Sequence, residues 1–488
     1  MTPFVTLVLA CSVPLFVLVV RHVAHHLRGR RFPLLAKDLN DAERRQWYLT
    51  AAFEVYERGY KRMRNTFHRV TTLDGDHIVI PNAYLDELGK RPDDEVDVLT
   101  AFSKILENDY IALFPEKRKT DIVNGIVKKD LTRALPRLNS RLSAEVEVTV
   151  RQELPMSLDW APVNIMSSLL RIVAIVSGSV FVGPELCRRE EYLRSAIDYA
   201  VDIVQASAEL KRRPGWMRPL FARILPEFSR LTQHRKNMQK FLRPVVEERR
   251  ELLRKGEPLP DDTLSWMLQA TEKSGIVDIA DLTNMQLLLT MAAIHTTTLS
   301  ATILLYDLVV RPEIVQELRS EVTKVLEAHD GIMTPRALFD MKLMDSVMRE
   351  SQRLSPPFFD GFRRYTLKDV ALRDGTHVIP AGYIIEAANG PILRDDDLYP
   401  DAEKFDPYRF YRLRAFDSPD PIGFRNREQY QFVSVTKENM SFGFGRHACP
   451  GRFFAANEIK LILAQLLLNY DMKLPAGSLE GYKAFYTA

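Results

Sequence analysis

The sequence predicts a mainly α protein with small β-sheets and a transmembrane helix at its N-terminus. Residues 82–330 have helical patterning almost throughout, with short breaks. The segments 69–81 and 363–386 are instead rich in the β-branched residues and turn signals that are typical of strands. An uncharged apolar run occupies 4–20, which is close to the shortest length that crosses a bilayer.

Composition and charge exclude some classes of function. The 488 residues include 46% hydrophobic and 27% charged side chains, and the net charge is +3. We therefore expect an ordinary globular core and no nucleic-acid partner. The three cysteines, Cys11, Cys187 and Cys449, are far apart. They form no disulfide framework, which fits a reducing compartment.

The N-terminal run has the charge distribution of an uncleaved anchor. No basic side chain precedes it, and Arg21, Arg28, Arg30 and Arg31 follow it. A secretory signal has the opposite order, and basic flanks stay on the cytosolic side. We expect a single-pass anchor and basic flank at 1–31 in the endoplasmic reticulum membrane. Residues 32–488 then form a cytosolic catalytic domain.

The remaining elements follow from local signals. Asp74-Gly75 marks the turn of a hairpin, and Pro-Gly pairs break the helical region. A long apolar helix, buried on most faces, ends before Arg311-Pro312. The predicted elements are helix 51–68, the hairpin 69–81, helical breaks at 212–215 and 256–258, helices 284–310 and 341–354, strands at 363–386, a loop at 399–430 and a final helix at 452–470.

Cys449 has an unusual setting. It lies in Phe-Gly-Phe-Gly-Arg-His-Ala-Cys-Pro-Gly at 442–451, directly before the final helix. Most free cysteines are small buried hydrophobic residues without chemistry. Here the helix N-terminus favours a thiolate, and Gly443 and Gly451 suit a backbone that lies close to a flat ligand. Phe442 can pack beside the sulfur. The pattern fits an axial ligand of haem iron.

The long helix carries four polar residues in its middle, His295-Thr-Thr-Thr. Buried polar groups are costly without partners. Threonines can satisfy themselves on the carbonyl four residues earlier, and this alternative stays open for Thr297 and Thr298. For His295 and Thr296 we favour a functional groove, in which a distorted helix holds a polar ligand or a water chain.

Glu350 and Arg353 share one face of the helix 341–354. Such pairs are usually solvated, but apolar neighbours indicate a partly buried pair that needs further partners. Arg409 can supply one.

In this order, these features resemble the cytochrome P450 superfamily over essentially the whole chain. The helix-I motif falls on 292–297, the Glu-x-x-Arg motif on Glu350 and Arg353, the meander arginine on Arg409 and the cysteine loop on 442–451. The resemblance implies the cytochrome P450 fold. Residues 447–455 are similar to filamentous-fungal enzymes that oxidise terpenoids and related secondary metabolites.

The chain departs from the family pattern at three places. His447 stands where an arginine usually pairs a haem propionate, and its charge depends on pH. His295 replaces the usual helix-I acid, and Ala293 replaces a glycine. Residues 450–488 are short for the family's closing hairpin, so we expect a truncated or divergent C-terminus.

The resemblance implies haem b (iron-protoporphyrin IX), bound through the thiolate of Cys449. Dioxygen and NADPH are the co-substrates, and the electrons come from an NADPH-cytochrome P450 reductase in the same lipid bilayer. Thr296 hydrogen-bonds the dioxygen or its water, and His295 relays a proton. Glu350, Arg353 and Arg409 are structural. Arg364 pairs a propionate, and Lys128 is a candidate for a second pairing.

The implied reaction is the hydroxylation or other oxidation of a small lipophilic molecule, because apolar residues dominate 287–294 and 356–362. Two alternatives remain. A haem-thiolate isomerase or dehydratase works without a reductase and has no need of Thr296. A membrane-tethered haem protein without catalysis would not need the complete set of motifs.

Overall fold

The computed structural model describes residues 28–475 and 477–478, so the anchor predicted at 4–20 lies outside the described residues. The α-helices are α1 Asp41–Met63, α2 Leu85–Leu88, α3 Val98–Ile105, α4 Asn108–Ile111, α5 Lys117–Gly125, α6 Thr132–Glu153, α7 Ile165–Phe181, α8 Glu190–Lys211, α9 Arg218–Ile224, α10 Pro226–Lys255, α11 Thr263–Lys273, α12 Ile279–Val309, α13 Pro312–Ala328, α14 Pro335–Asp340, α15 Lys342–Leu354, α16 Asn389–Leu393, α17 Arg409–Arg414 and α18 Arg452–Asn469. The strands are β1 His68–Thr72, β2 Gly75–Val79, β3 Val96–Asp97, β4 Gly361–Thr366, β5 Val370–Ala371, β6 Val378–Ile379 and β7 Ile384–Ala387.

The described chain forms two compact units, and the first unit contains 28–102 and 359–391. Its five-stranded sheet has the order β1-β2-β7-β4-β3. The predicted hairpin is confirmed, since β1 and β2 pair antiparallel around a turn where Gly75 has φ +115°. β2 then pairs in parallel with β7, which lies some 300 residues later in the sequence. The two strand-rich segments therefore share one sheet, while β5 and β6 of the later segment form a separate two-stranded sheet.

Helix α1 begins ten residues earlier than predicted. Asn40 caps it, because its side chain accepts the Glu43 N–H at 3.0 Å. The Glu43 carboxylate in turn accepts the Asn40 N–H at 2.8 Å. Together these bonds form a capping box. Ala51, where the predicted helix began, has non-helical dihedral angles that mark a kink.

The second unit contains 103–358 and 392–478 and is mainly helical. Helix α12 packs against α7, α8, α10 and α18, and it contributes residues to the large apolar core of this unit. It is the described helix that is long and apolar enough to cross a membrane, but 61% of its most apolar window is buried in the protein. A buried core helix passes the same test.

Two local features were missed by the sequence analysis. The segment 399–430, predicted as a loop, contains helix α17 and a 3₁₀ turn at Arg427–Tyr430. Between α5 and α6 the chain forms one π-helical turn at Ile126–Leu131. Such turns recur at functional sites, because they displace the side chains of a helix from their regular positions.

Candidate haem-thiolate site

The loop before α18 is shaped by two glycines with left-handed dihedral angles. Gly443 has φ +77° and Gly445 has φ +68°, which side-chain-bearing residues adopt at a cost. A Cβ on Gly443 would also lie 3.3 Å from the His447 carbonyl oxygen. The loop then closes through the Cys449 N–H, which donates to the Phe442 carbonyl at 2.7 Å. The two glycines and this hydrogen bond therefore fix the backbone of Cys449 at the start of α18.

The Cys449 side chain is exposed although protein surrounds it on most sides. Burial raises the pKa of its thiol, whereas hydrogen bonds from the backbone N–H groups of Gly451 and Arg452 and the charge of the Arg452 guanidinium act to lower it. Burial outweighs these groups, so the pKa of the free thiol is raised, and a bound metal ion would be needed to favour the thiolate.

This donor set fits a haem held by Cys449. A soft thiolate is a suitable axial ligand, and amide donors to the sulfur tune such a ligand. Glycines place no side chain between this backbone and a flat macrocycle, and the half-buried Phe442 and Gly451 lie at the two ends of the loop. The other described cysteine, Cys187, is buried, and burial raises its pKa to about 11.

Helix α12 has one accessible face in an otherwise buried setting. Ala292 and Thr296, one turn apart, are exposed, whereas Ile294, Thr297 and Thr298 are buried. The Thr296 hydroxyl donates to the Ala292 carbonyl at 2.8 Å. Accessible residues in the middle of a core helix indicate that this face borders a space large enough for solvent or a ligand.

The predicted distortion of this helix was wrong. Helix α12 is α-helical without interruption from Ile279 to Val309. Thr298 bonds back to the Ile294 carbonyl at 2.8 Å, as Thr296 does to Ala292. The hydroxyl groups of Thr296 and Thr298 therefore satisfy themselves within a regular helix, so the alternative is confirmed for Thr298 and holds for Thr296 as well.

His295 connects two helices. Its Nε2 lies 2.9 Å from the Ile197 carbonyl oxygen of α8, so this nitrogen carries the proton. The ring is half-buried. The structure thus gives His295 an interhelical contact, and its role as a proton relay stays a prediction.

Glu350, Arg353 and Arg409 form one buried cluster. Arg353 donates from Nε and Nη2 to the two carboxylate oxygens of Glu350, each at 2.8 Å. Arg409 donates to Glu350 Oε1 at 3.2 Å, and the Asp406 N–H donates to the same oxygen at 2.9 Å. The side chains of Glu350 and Arg353 are 0% and 1% exposed. The cluster fixes helix α15 to the segment before α17.

The remaining guanidinium donors of this cluster bind backbone carbonyls. Arg353 Nη1 donates to Leu393 at 2.8 Å and to Ala402 at 2.6 Å. Arg409 Nη1 donates to Pro400 at 2.6 Å. The two arginines therefore hold a loop that has little regular structure of its own, and this is the structural role that the sequence indicated.

Three predicted propionate partners lie in different settings. His447 Nε2 lies 3.0 Å from Arg446 Nε, within a 3₁₀ turn of the cysteine loop. Lys128 is exposed on the π-helical turn, whose neighbour Val127 lies 3.7 Å from the position of a Cβ on Gly451. Arg364 belongs to β4 of the first unit, where it donates to the Arg363 carbonyl at 2.7 Å and stacks on Phe362. Their roles stay predictions.

Sequence reasoning missed Arg349, which directly precedes Glu350. It is 1% exposed, its Nη1 donates to the Gln429 carbonyl at 2.9 Å, and its guanidinium lies 4.6 Å from the centre of the Phe410 ring. A signal was present, since a further charged residue directly beside a predicted buried pair needs an explanation. Its partners, however, are backbone carbonyls about 80 residues away, which no local pattern indicates.

Comparisons with known proteins give the same family. A family model described as Cytochrome P450 matches residues 102–481. A cytochrome P450 monooxygenase of Emericella nidulans is 35% identical over 425 residues, which cover 86% of this chain and 77% of that protein. The cytochrome P450 monooxygenase penP of Penicillium crustosum is 36% identical, with 88% and 81% covered. The cytochrome P450 monooxygenase paxP of Penicillium paxilli is 35% identical, with 86% and 79% covered. The chain belongs to the cytochrome P450 family of oxidoreductases.

Proposed function

We propose that this protein is a membrane-anchored haem-thiolate monooxygenase that oxidises a lipophilic small molecule of the terpenoid or a related secondary-metabolite class. Cys449 carries the proposal: its sulfur is accessible, and backbone donors at the start of α18 are directed at it. Residues 1–31 would anchor the chain in the endoplasmic reticulum membrane. Residues 32–488 would form the cytosolic catalytic domain.

The cysteine loop would hold the cofactor. A thiolate-bound haem supplies the electron density that promotes O–O cleavage and oxygen insertion. A bound haem iron would hold the Cys449 sulfur as a thiolate, and the N–H groups of Gly451 and Arg452 act in the same direction against the effect of burial. Gly443 would let the loop backbone lie close to the ligand. The Cβ of any other residue at this position would lie 3.3 Å from the His447 carbonyl oxygen.

Helix α12 would control protons. The Thr296 hydroxyl donates its hydrogen to the Ala292 carbonyl. The hydroxyl oxygen of Thr296 therefore remains an acceptor for a water or a substrate hydroxyl. The residue is exposed, so such a water can reach it. His295 holds α12 to α8 through Ile197 and would stabilise this arrangement or relay the proton.

An NADPH-cytochrome P450 reductase would supply the electrons. Exposed cations lie close to the cysteine in sequence or in space: Arg446 within the loop, and Lys128 and Lys129 on the π-helical turn whose neighbour Val127 approaches Gly451. A basic surface attracts an acidic redox partner and accelerates its association. The apolar residues at 287–294 support a lipophilic substrate.

A reconstituted assay tests this function. A panel of terpenoids is first screened by spectral titration of the haem-loaded protein, and a ligand that displaces the axial water is then supplied with labelled dioxygen, NADPH and reductase. We expect one labelled oxygen atom in the product, and no product when the reductase is omitted. Turnover without reductase would contradict the proposal in favour of an isomerase or dehydratase. A purified protein without haem would contradict both.

A further inference from the structure

A buried group of charges lies at the start of helix α15. Asp345 Oδ1 lies 3.0 Å from Lys460 Nζ of α18, and Asp345 Oδ2 lies 3.3 Å from Arg414 Nη1 of α17. The three side chains are at most 7% exposed. Because buried ion pairs lose hydration, they are weak evidence of stability, and their use is often to fix one arrangement of the elements that they join.

The Asp345 carboxylate also binds the backbone that precedes the cysteine loop. Its Oδ2 accepts the Phe432 N–H at 3.0 Å. The Phe432 ring is buried and meets the Phe442 ring edge to face, with 5.3 Å between centroids and 86° between planes. Phe442 is the residue whose carbonyl accepts the Cys449 N–H at 2.7 Å. A continuous series of contacts thus leads from Asp345 to the backbone of Cys449.

Arg349 holds the same segment from the next turn of α15. It donates to the carbonyls of Gln429 and Gln431, directly before Phe432. The segment 429–432 is therefore bound to one helix at its carbonyls by a cation and at its N–H by an anion. Such complementary bonds fix the position of Phe432 along the helix as well as its distance from it.

We propose that Asp345 is a positioning residue for the cysteine loop, acting through Phe432 and Phe442 on Cys449. This inference rests on the proposed function, because it assigns haem ligation to Cys449. Without the carboxylate, Lys460 loses its ion-pair partner, Arg414 keeps only its pair with Glu428, and the Phe432 N–H loses its acceptor. The segment 429–432 can then shift, and the sulfur is no longer held where the haem iron requires a thiolate.

The test uses the haem-loaded full-length chain and its reduced carbonyl complex, in which thiolate ligation gives a red-shifted Soret band. We expect Asp345→Ala to lose this band about tenfold faster than the wild type during incubation, since a buried charge left unpaired is strongly unfavourable. Asp345→Asn keeps an acceptor for Phe432 and should lie between the two. Phe432→Leu leaves the ionic group intact and should lose the band as Asp345→Ala does.

A matched control separates positioning from general stability. Arg249 and Asp262 form another buried pair, 6% and 1% exposed and 2.7 Å apart, and their recorded partners lie outside 429–451. Each variant is incubated at the same interval below its own unfolding midpoint. We expect Asp262→Ala to lower the midpoint yet to keep the wild-type rate of band loss.

Two results would overturn the positioning role alone: a wild-type rate in both Asp345→Ala and Phe432→Leu, or an equally fast loss in Asp262→Ala. If Asp345→Ala does not fold, Phe432→Leu and Asp345→Asn still decide between these outcomes. A wild-type protein that never shows the red-shifted band would instead overturn the proposed function, and this inference with it.

Discussion

Replacing Glu350 with glutamine removes the carboxylate that lies between two buried guanidinium groups. In the structure this carboxylate accepts two bonds from Arg353 at 2.8 Å, one from Arg409 at 3.2 Å and one from the Asp406 N–H at 2.9 Å. An amide keeps one acceptor oxygen and turns a donor toward the other guanidinium nitrogen. With the amide oxygen at the Oε1 position, the bond from Arg353 Nε is lost, and both arginines stay buried without a counter-charge.

The expected cost follows from these contacts. A hydrogen bond to a charged group contributes about 1.5–3 kcal/mol, so the lost bond and the weakening of the three bonds that remain give roughly 3–5 kcal/mol together. Breaking a buried ion pair by removing one partner costs about 3–5 kcal/mol, which agrees. We therefore expect Glu350→Gln to lower the free energy of unfolding by about 4 kcal/mol.

Urea titration followed by circular dichroism measures this loss. Glu272→Gln is the matched control, because Glu272 pairs with Arg250 at 2.8 Å while both side chains are 26–34% exposed. Such a pair contributes less than about 1 kcal/mol. Equal, small losses in the two variants would refute the reasoning that burial makes the Glu350 cluster costly to break.

Three further predictions concern single side chains. Glu458 is buried with its Oε2 lacking a hydrogen-bond partner among the described residues, and burial raises its pKa from 4.5 to about 8, so the folded state favours the neutral acid. The stability that this neutral acid contributes is complete below pH 4.5 and is lost as pH rises through 8. Glu458→Gln should therefore abolish the decline of the urea midpoint over this pH range. An unchanged pH profile in the variant would contradict the raised pKa of Glu458. Thr296→Val should leave the free energy of unfolding within about 0.5 kcal/mol of the wild type, because the residue is exposed, yet lower product per NADPH severalfold. Thr298→Val, at a buried position, should lower the free energy of unfolding and leave the product per NADPH unchanged. His295→Ala should keep haem bound but raise the peroxide released per NADPH, and unchanged coupling would exclude the relay.

The sequence was sufficient to predict the position of residues whose partners follow from helical spacing or from a family motif. The spacing of Glu350 and Arg353 placed them on one face of a helix, and Arg409 was expected as their partner. Helix α12 was predicted to within about five residues, because its apolar run is long and Pro312 ends it. The hairpin followed from Asp74-Gly75 and the alternating residues on either side of it.

Other features depend on contacts that no local pattern records. Asp345 and Lys460 lie on different helices, and only the fold brings them to 3.0 Å. The pairing of β2 with β7 joins distant segments for the same reason. Helix α17 has six residues, too few for a periodic signal. The predicted distortion of α12 was wrong because the hydroxyl groups of Thr296 and Thr298 use carbonyls of their own helix.

The central claim is that Cys449 supplies a thiolate to haem iron. The most direct measurement is the Soret band of the reduced carbonyl complex in the wild type, in Cys449→Ala and in Cys187→Ala, which removes the other described, buried cysteine. We expect the red-shifted band in the wild type and in Cys187→Ala, and its complete loss in Cys449→Ala. A red-shifted band that survives in Cys449→Ala would contradict the account.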